Sequence, residues 1–126
     1  LGMFAGDDAI GSVIAVGLKP DEAASTFGTR FEALLKTLPE DASFVVLADI
    51  VGGSPLTTVC NILNDHGKLQ DTLVLGGMNF PMALTTLMSK DSLDNPALKE
   101  KAFSEATAAI KEFQTTSSEA SDDDDI

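Results

Sequence analysis

Cysteine and histidine are nearly absent from this sequence, and positive charge is scarce. The one cysteine, Cys60, excludes an internal disulfide framework and a multi-cysteine metal cage, as expected of a protein of the reducing cytoplasm. The one histidine, His66, excludes a His-rich metal site. Eight Lys and Arg stand against twenty Asp and Glu, a net charge of −12. Five of those acids, Glu119 and Asp122 to Asp125, fall in the last eight residues, which leaves −7 over residues 1–118. A field of that sign repels nucleic-acid phosphates and anionic headgroups and attracts a partner with a basic face. No apolar run approaches the roughly twenty residues of a membrane helix. The opening Leu1 to Gly6 has neither a basic n-region nor a following apolar h-region, so a signal peptide is not expected there.

The 126 residues suffice for one domain, and their 44% apolar and 22% charged content is that of a globular chain. Three short runs rich in Val, Ile and Leu, with little polar alternation, predict strands at Ser12 to Val16, Ser43 to Ala48 and Thr72 to Leu75. Such runs belong to strands covered on both faces, as in a parallel sheet. A helix is predicted from Asp21 to Leu38, weakened by Gly28 and stopped by Pro39. A second starts at Ser54 as N-cap with Pro55 behind it and runs to the turn at Asn64 to Gly67. A third begins at Asn79, and a fourth at Asn95 as cap with Pro96 next. Ala102, Phe103, Ala106, Ala109, Ile110 and Phe113 are predicted as the inward stripe of the fourth. From Thr115 the pattern dissolves into Ser, Thr and Asp, so the domain is placed at 1–114 and an acidic tail or linker at 115–126. The order predicts an open α/β fold, a mostly parallel sheet with helices on both faces. Leu1 to Gly6 reads as the end of a helix running into a turn, so a preceding strand and most of a helix, about 20–30 residues, are expected upstream.

In such sheets the functional crevice lies outside the carboxyl ends of the strands. Two segments fall there. In Asp49-Ile50-Val51-Gly52-Gly53-Ser54-Pro55, Asp49 is the first ionisable group after the most apolar strand. Gly52 and Gly53 permit a tight turn and close backbone approach, and Ser54 opens a helix whose free N–H groups favour an anion. Asp49 suits holding an imidazole or a cation, and would repel a phosphate placed against it. The other reading is ordinary turn chemistry, with Ser54 only capping its helix. In Gly76-Gly77-Met78-Asn79-Phe80-Pro81-Met82, Asn79 is a candidate helix cap, while Met78 and Phe80 are core filler or the apolar rim of a crevice. His66 reads as a solvated surface residue, Cys60 as a small buried hydrophobe, and Asp7-Asp8 as a solvated acidic corner.

On these two motifs the sequence resembles the mannose-class enzyme IIA domain of the bacterial phosphoenolpyruvate-dependent sugar phosphotransferase system. The pattern is a strand ending in Asp, a Gly-Gly-Ser/Thr-Pro helix start, then a strand running into Gly-x-Asn-x-Pro-Met. The likeness extends from Phe4 to Phe113. It implies a parallel sheet whose first strand is internal, with an antiparallel edge strand exchanged in a homodimer. It implies a phosphoryl relay: phosphorylated HPr gives its phosphoryl group to a histidine, which passes it to enzyme IIB and so serves sugar uptake through the membrane IIC and IID permease, with no cofactor. The protein is then cytoplasmic and peripheral to that permease. The implied acceptor lies in a His-Gly context at the end of the first strand and is not among these residues; His66 does not match it. By match to the motif, Asp49 orients and supports that imidazole, Gly52, Gly53 and Ser54 hold the phosphoryl oxygens, and Met78, Asn79 and Phe80 form the crevice or partner rim. Two alternatives share the scaffold. One is a receiver-like domain phosphorylated on Asp49, though no Lys follows the last strand and Asp7-Asp8 precede a strand rather than follow one. The other is a non-catalytic module that binds a regulator or transporter.

Overall fold

A computed structural model describes residues 1–115; the acidic run Asp122 to Asp125 and the rest of the tail lie outside the described residues, as do the side chains of Asp7 and Asp8. Two single-turn helices open the chain, α1 (Gly2–Ala5) and α2 (Asp7–Ile10). After an irregular stretch come α3 (Ala24–Leu35), β1 (Val45–Leu47), α4 (Ser54–Asp65), a 3₁₀ turn (Leu69–Asp71), β2 (Leu73–Leu75), α5 (Phe80–Ser89) and α6 (Asn95–Ala108). The two strands pair in parallel, with Val46 opposite Val74, and α4 is the crossover between them. The α/β architecture with an open parallel sheet is therefore the observed one. Among the described residues no helix is long and apolar enough to cross a membrane.

The core is built on the strand pleat. Leu75 lies with Met82 of α5 and Ala102 and Ala106 of α6, and Leu47 and Leu73 pack against this group. On α6 the buried positions are Leu98, Ala102 and Ala106, spaced by four, and the two alanines let the helix approach the sheet closely. The wider stripe expected there is corrected. Phe103 is one step round the helix and 44% exposed, while Ile110 and Phe113 fall beyond the helix end and are exposed. The cap is also Asp94 rather than Asn95: its carboxylate accepts from the Ala97 amide at 3.0 Å, and the Asn95 amide group donates instead to the Asp71 carbonyl.

Helices α3 and α4 pack on one another at Gly28, where an added Cβ would stand 3.0 Å from Thr58 Cγ2 and 3.4 Å from Ile62 Cδ1. A residue that weakens a helix by about 1 kcal/mol is thus what allows these two to meet. Phe27 beside it is 1% exposed. The loop leading into α3 is tied by Arg30, whose Nε and Nη2 each donate to the Glu22 carboxylate at 2.8 Å; Nη2 also donates to the Gly17 carbonyl. The Arg30 hydrogen bonds, with one from the Lys19 amide, hold the Glu22 carboxyl down from 4.5 to about 2. A depressed carboxyl adds stability that is complete above its ordinary value and lost as pH falls toward its folded one. The melting temperature is therefore expected to fall more steeply between pH 4.5 and about 2 in the native chain than in Glu22→Gln, as thermal melts across that range would record.

The strand expected at Ser12 to Val16 is not one. This stretch is irregular, and Val13 and Ile14 are 38% and 46% exposed. A strand exists only in a ladder, and here a cavity of about 900 Å³ separates the segment from β1. The apolar composition is that of a sheet element, but among the described residues no strand pairs with it.

Candidate functional site

Ala48 brings the two loops after the strands together. Its amide donates to the Leu75 carbonyl and its carbonyl accepts from the Met78 amide, both at 2.9 Å, so the chains leaving β1 and β2 run side by side for one residue beyond the sheet. Asp49 follows directly, exposed, with no hydrogen-bond partner among the described residues. Val51 then folds back over Gly76. A Cβ on Gly76 would meet Val51 Cγ2 well inside van der Waals contact, so glycine is required there for the two loops to close on each other. Gly76→Ala is expected to cost about 1–3 kcal/mol through this overlap, and Val51→Ala in the same chain to restore most of it; chemical denaturation of the single and double variants measures both.

Helix α4 starts one residue earlier than a Ser54 cap requires. Gly53 is the N-cap, in extended conformation, because its carbonyl takes the first helical bond, from the Thr57 amide at 3.3 Å. Ser54 is the first helical residue and makes no capping bond, so its hydroxyl stays exposed and uncommitted. Pro55 has no N–H, and the amides of Ser54 and Leu56 are the unpaired donors of the first turn. These donors and the helix dipole present positive potential at the start of α4, where Gly53 lines the same cavity as Asp49.

Asn79 caps α5 as expected: its Oδ1 accepts from the Met82 amide at 3.0 Å. Its Nδ2 donates to the Ala106 carbonyl at 3.0 Å, which fastens the second loop to the end of α6. Both polar atoms are engaged, so Asn79 holds the loop's shape. Met78 and Phe80 are 39% and 45% exposed, and Phe80 meets Phe4 of α1 edge to face at 5.3 Å. With Ile50 and Val51, 63% and 68% exposed, they make an apolar margin around the acidic and amide-bearing centre.

His66 is elsewhere. It follows α4 at the end opposite Ser54, about 18 Å away along a twelve-residue helix. There its Nε2 pairs with Glu32 Oε2 at 3.0 Å, linking α4 to α3. Cys60 is half-buried on α4, and burial pushes its thiol up, away from the reactive thiolate.

Two features of the site were not predicted from the sequence: the Val51 seat on Gly76, and the large cavity that opens at the foot of Asp49 and Gly53. The Gly76-Gly77 pair hinted at the first, since a doublet of glycines after a strand marks either a turn or a close approach.

Residues 1–103 match the model of the EIIA-man family, described as the PTS system fructose IIA component. The chain is 24% identical over 130 residues to the PTS system fructose-specific EIIA component of Bacillus subtilis, covering 98% of this chain and 86% of that protein. It is 33% identical over 81 residues to the PTS system mannose-specific EIIAB component of Escherichia coli K12. That match covers 64% of this chain and 24% of that longer protein.

Proposed function

Because the chain belongs to the EIIA-man family and is thus a IIA component of a sugar phosphotransferase system, we propose that it relays a phosphoryl group between protein histidines. In this reading phosphorylated HPr docks on the acidic face with its apolar margin. Its P–N bond breaks as a new one forms on an imidazole of this protein, and enzyme IIB takes the group by the same exchange in turn. The permease behind enzyme IIB and a homodimeric assembly belong to the same proposal.

The observation that supports it most directly is the uncommitted first turn of α4, whose N-cap Gly53 lines the same cavity as the exposed Asp49. A phosphoryl group is a dianion, and the Ser54 hydroxyl, the Ser54 amide and the backbone at Gly52 and Gly53 stand where its oxygens need donors. Asp49 acts as a positioning residue. It accepts from the far N–H of the imidazole and stabilises the positive charge that the ring carries when protonated or phosphorylated. As an anion it repels the phosphoryl group and is not itself a ligand of phosphate. The acceptor imidazole is proposed to enter from the cavity side, on a strand outside these 126 residues. His66 is excluded by its place at the other end of α4 and its pairing with Glu32.

The test is incubation of the full natural protein with phosphorylated HPr. An acid-labile, base-stable adduct is expected, undiminished in His66→Gln. An adduct labile at both extremes would move the chemistry to Asp49, and no adduct would leave a binding module.

A further inference from the structure

One side chain joins parts of the molecule that the chain order keeps apart. Asn79 accepts from the Met82 amide with Oδ1 and donates to the Ala106 carbonyl with Nδ2, both at 3.0 Å. It thereby caps the start of α5 and the end of α6 at once. The second bond has no substitute. Where α6 ends, the Ala109 amide reaches back to the Glu105 carbonyl and the Ile110 amide to that of Thr107, so among the described residues no following amide takes the Ala106 carbonyl. Ala106 is 6% exposed, and a buried carbonyl left without a donor is costly, so the Asn79 amide group is held in place. The other end of the connection is Asp49. Gly77 turns the chain through a positive φ of 73°, and the next amide, that of Met78, donates to the Ala48 carbonyl at 2.9 Å. That carbonyl shares one rigid peptide plane with the Asp49 amide. Met78 therefore fixes the plane from which Asp49 departs, and Met78 is in turn fixed by its neighbour Asn79.

We propose that Asn79 is a positioning residue for phosphoryl transfer: by clamping the second loop to the end of α6 it sets the direction of Asp49, acting through Met78 and Ala48, and it is not a contact for the docking partner. The proposal rests on the relay reading above. Asp49 is exposed and its carboxylate has no hydrogen-bond partner among the described residues, so its own backbone is what places it. A group that must meet an imidazole within hydrogen-bond distance is sensitive to small displacements of that backbone.

The variant that isolates this role is Asn79→Ser in the full natural protein. Serine is as good an N-cap for α5, is too short to reach Ala106 and carries no charge. Single-turnover transfer from phosphorylated HPr should slow about tenfold at saturation, with the half-saturating HPr concentration unchanged. The Met78 amide should lose hydrogen-exchange protection while the Ala48 amide, held by the Leu75 carbonyl, keeps its own. The decisive readout is the same substitution in Asp49→Asn. With the carboxylate charge already gone its direction matters little, and the further loss should be about twofold or less. Asp94→Ala, which removes the cap at the other end of α6, should leave transfer unchanged. A loss of the same size in both Asp49 backgrounds, an equal loss in Asp94→Ala, a change confined to half-saturation, or an unaltered Met78 amide would overturn the proposal. The unsubstituted protein is measured first. If it takes up no phosphoryl group, the relay reading fails and this proposal with it, whereas each of the other adverse results strikes Asn79 alone.

Discussion

Asp49→Asn is expected to slow phosphoryl transfer from phosphorylated HPr by about 10²-fold while leaving the melting temperature nearly unchanged. The two effects separate because Asp49 is exposed and has no hydrogen-bond partner among the described residues, so its removal breaks nothing in the fold. Asparagine keeps the side chain's shape and can still accept from an imidazole N–H. What it loses is the negative charge that offsets the charge on a phosphorylated or protonated ring. Single-turnover transfer measured across the titration range of histidine should therefore show a shifted pH profile in the Asn variant, with partial recovery in Asp49→Glu. A merely structural role would move neither the profile nor the rescue. If the Asn variant transfers at the native rate, the carboxylate plays no part in the relay.

The largest expected effect on stability is at Phe27. The ring is 1% exposed on α3, next to the Gly28 crossing with α4, and Arg30 lies over it at 5.6 Å from the ring centre. Truncation to alanine removes apolar area and leaves a hole that neighbours cannot close, typically about 3–5 kcal/mol. Total stabilities are about 5–15 kcal/mol, so a large part of the folded population is at stake. A domain of this size should lose roughly 10 °C or more in melting temperature, and Phe27→Leu, which keeps much of the volume, less than half as much. Calorimetric melts of the three chains make the comparison. A loss of only a few degrees in the alanine variant would mean that the side of α3 facing the cavity is not yet a packed core.

Much of the site was legible because it is written in residues with few other uses. Gly-Gly-Ser-Pro after an apolar run marks a turn into a helix, and Asn79 three residues before Met82 marks a cap; both lie where they were expected. The caps of α4 and α6 were each misplaced by one residue. Ser, Asn, Asp and Gly all suit that position, and the choice among them is made by which carbonyl the first helical amide reaches. The stripe of α6 failed in the same way: apolar composition gave its residues, while the helix end and the spacing of Leu98, Ala102 and Ala106 decided which face was covered. Ser12 to Val16 failed for a different reason. Its composition is that of a sheet strand, but pairing is a property of two segments and no window of one sequence contains it.

By itself the sequence determined the class of fold, the order of the elements from α3 onward and the two loops that the proposed chemistry uses, because periodicity, glycine and proline act through the local backbone. Tertiary structure alone decided that Ala48 ties those loops together, that Val51 needs the bare backbone of Gly76, that the Ser54 hydroxyl stays free and that a cavity opens beside β1. Each of these depends on atoms far apart in the chain meeting at a few ångströms, and only the packing of the whole domain sets such distances.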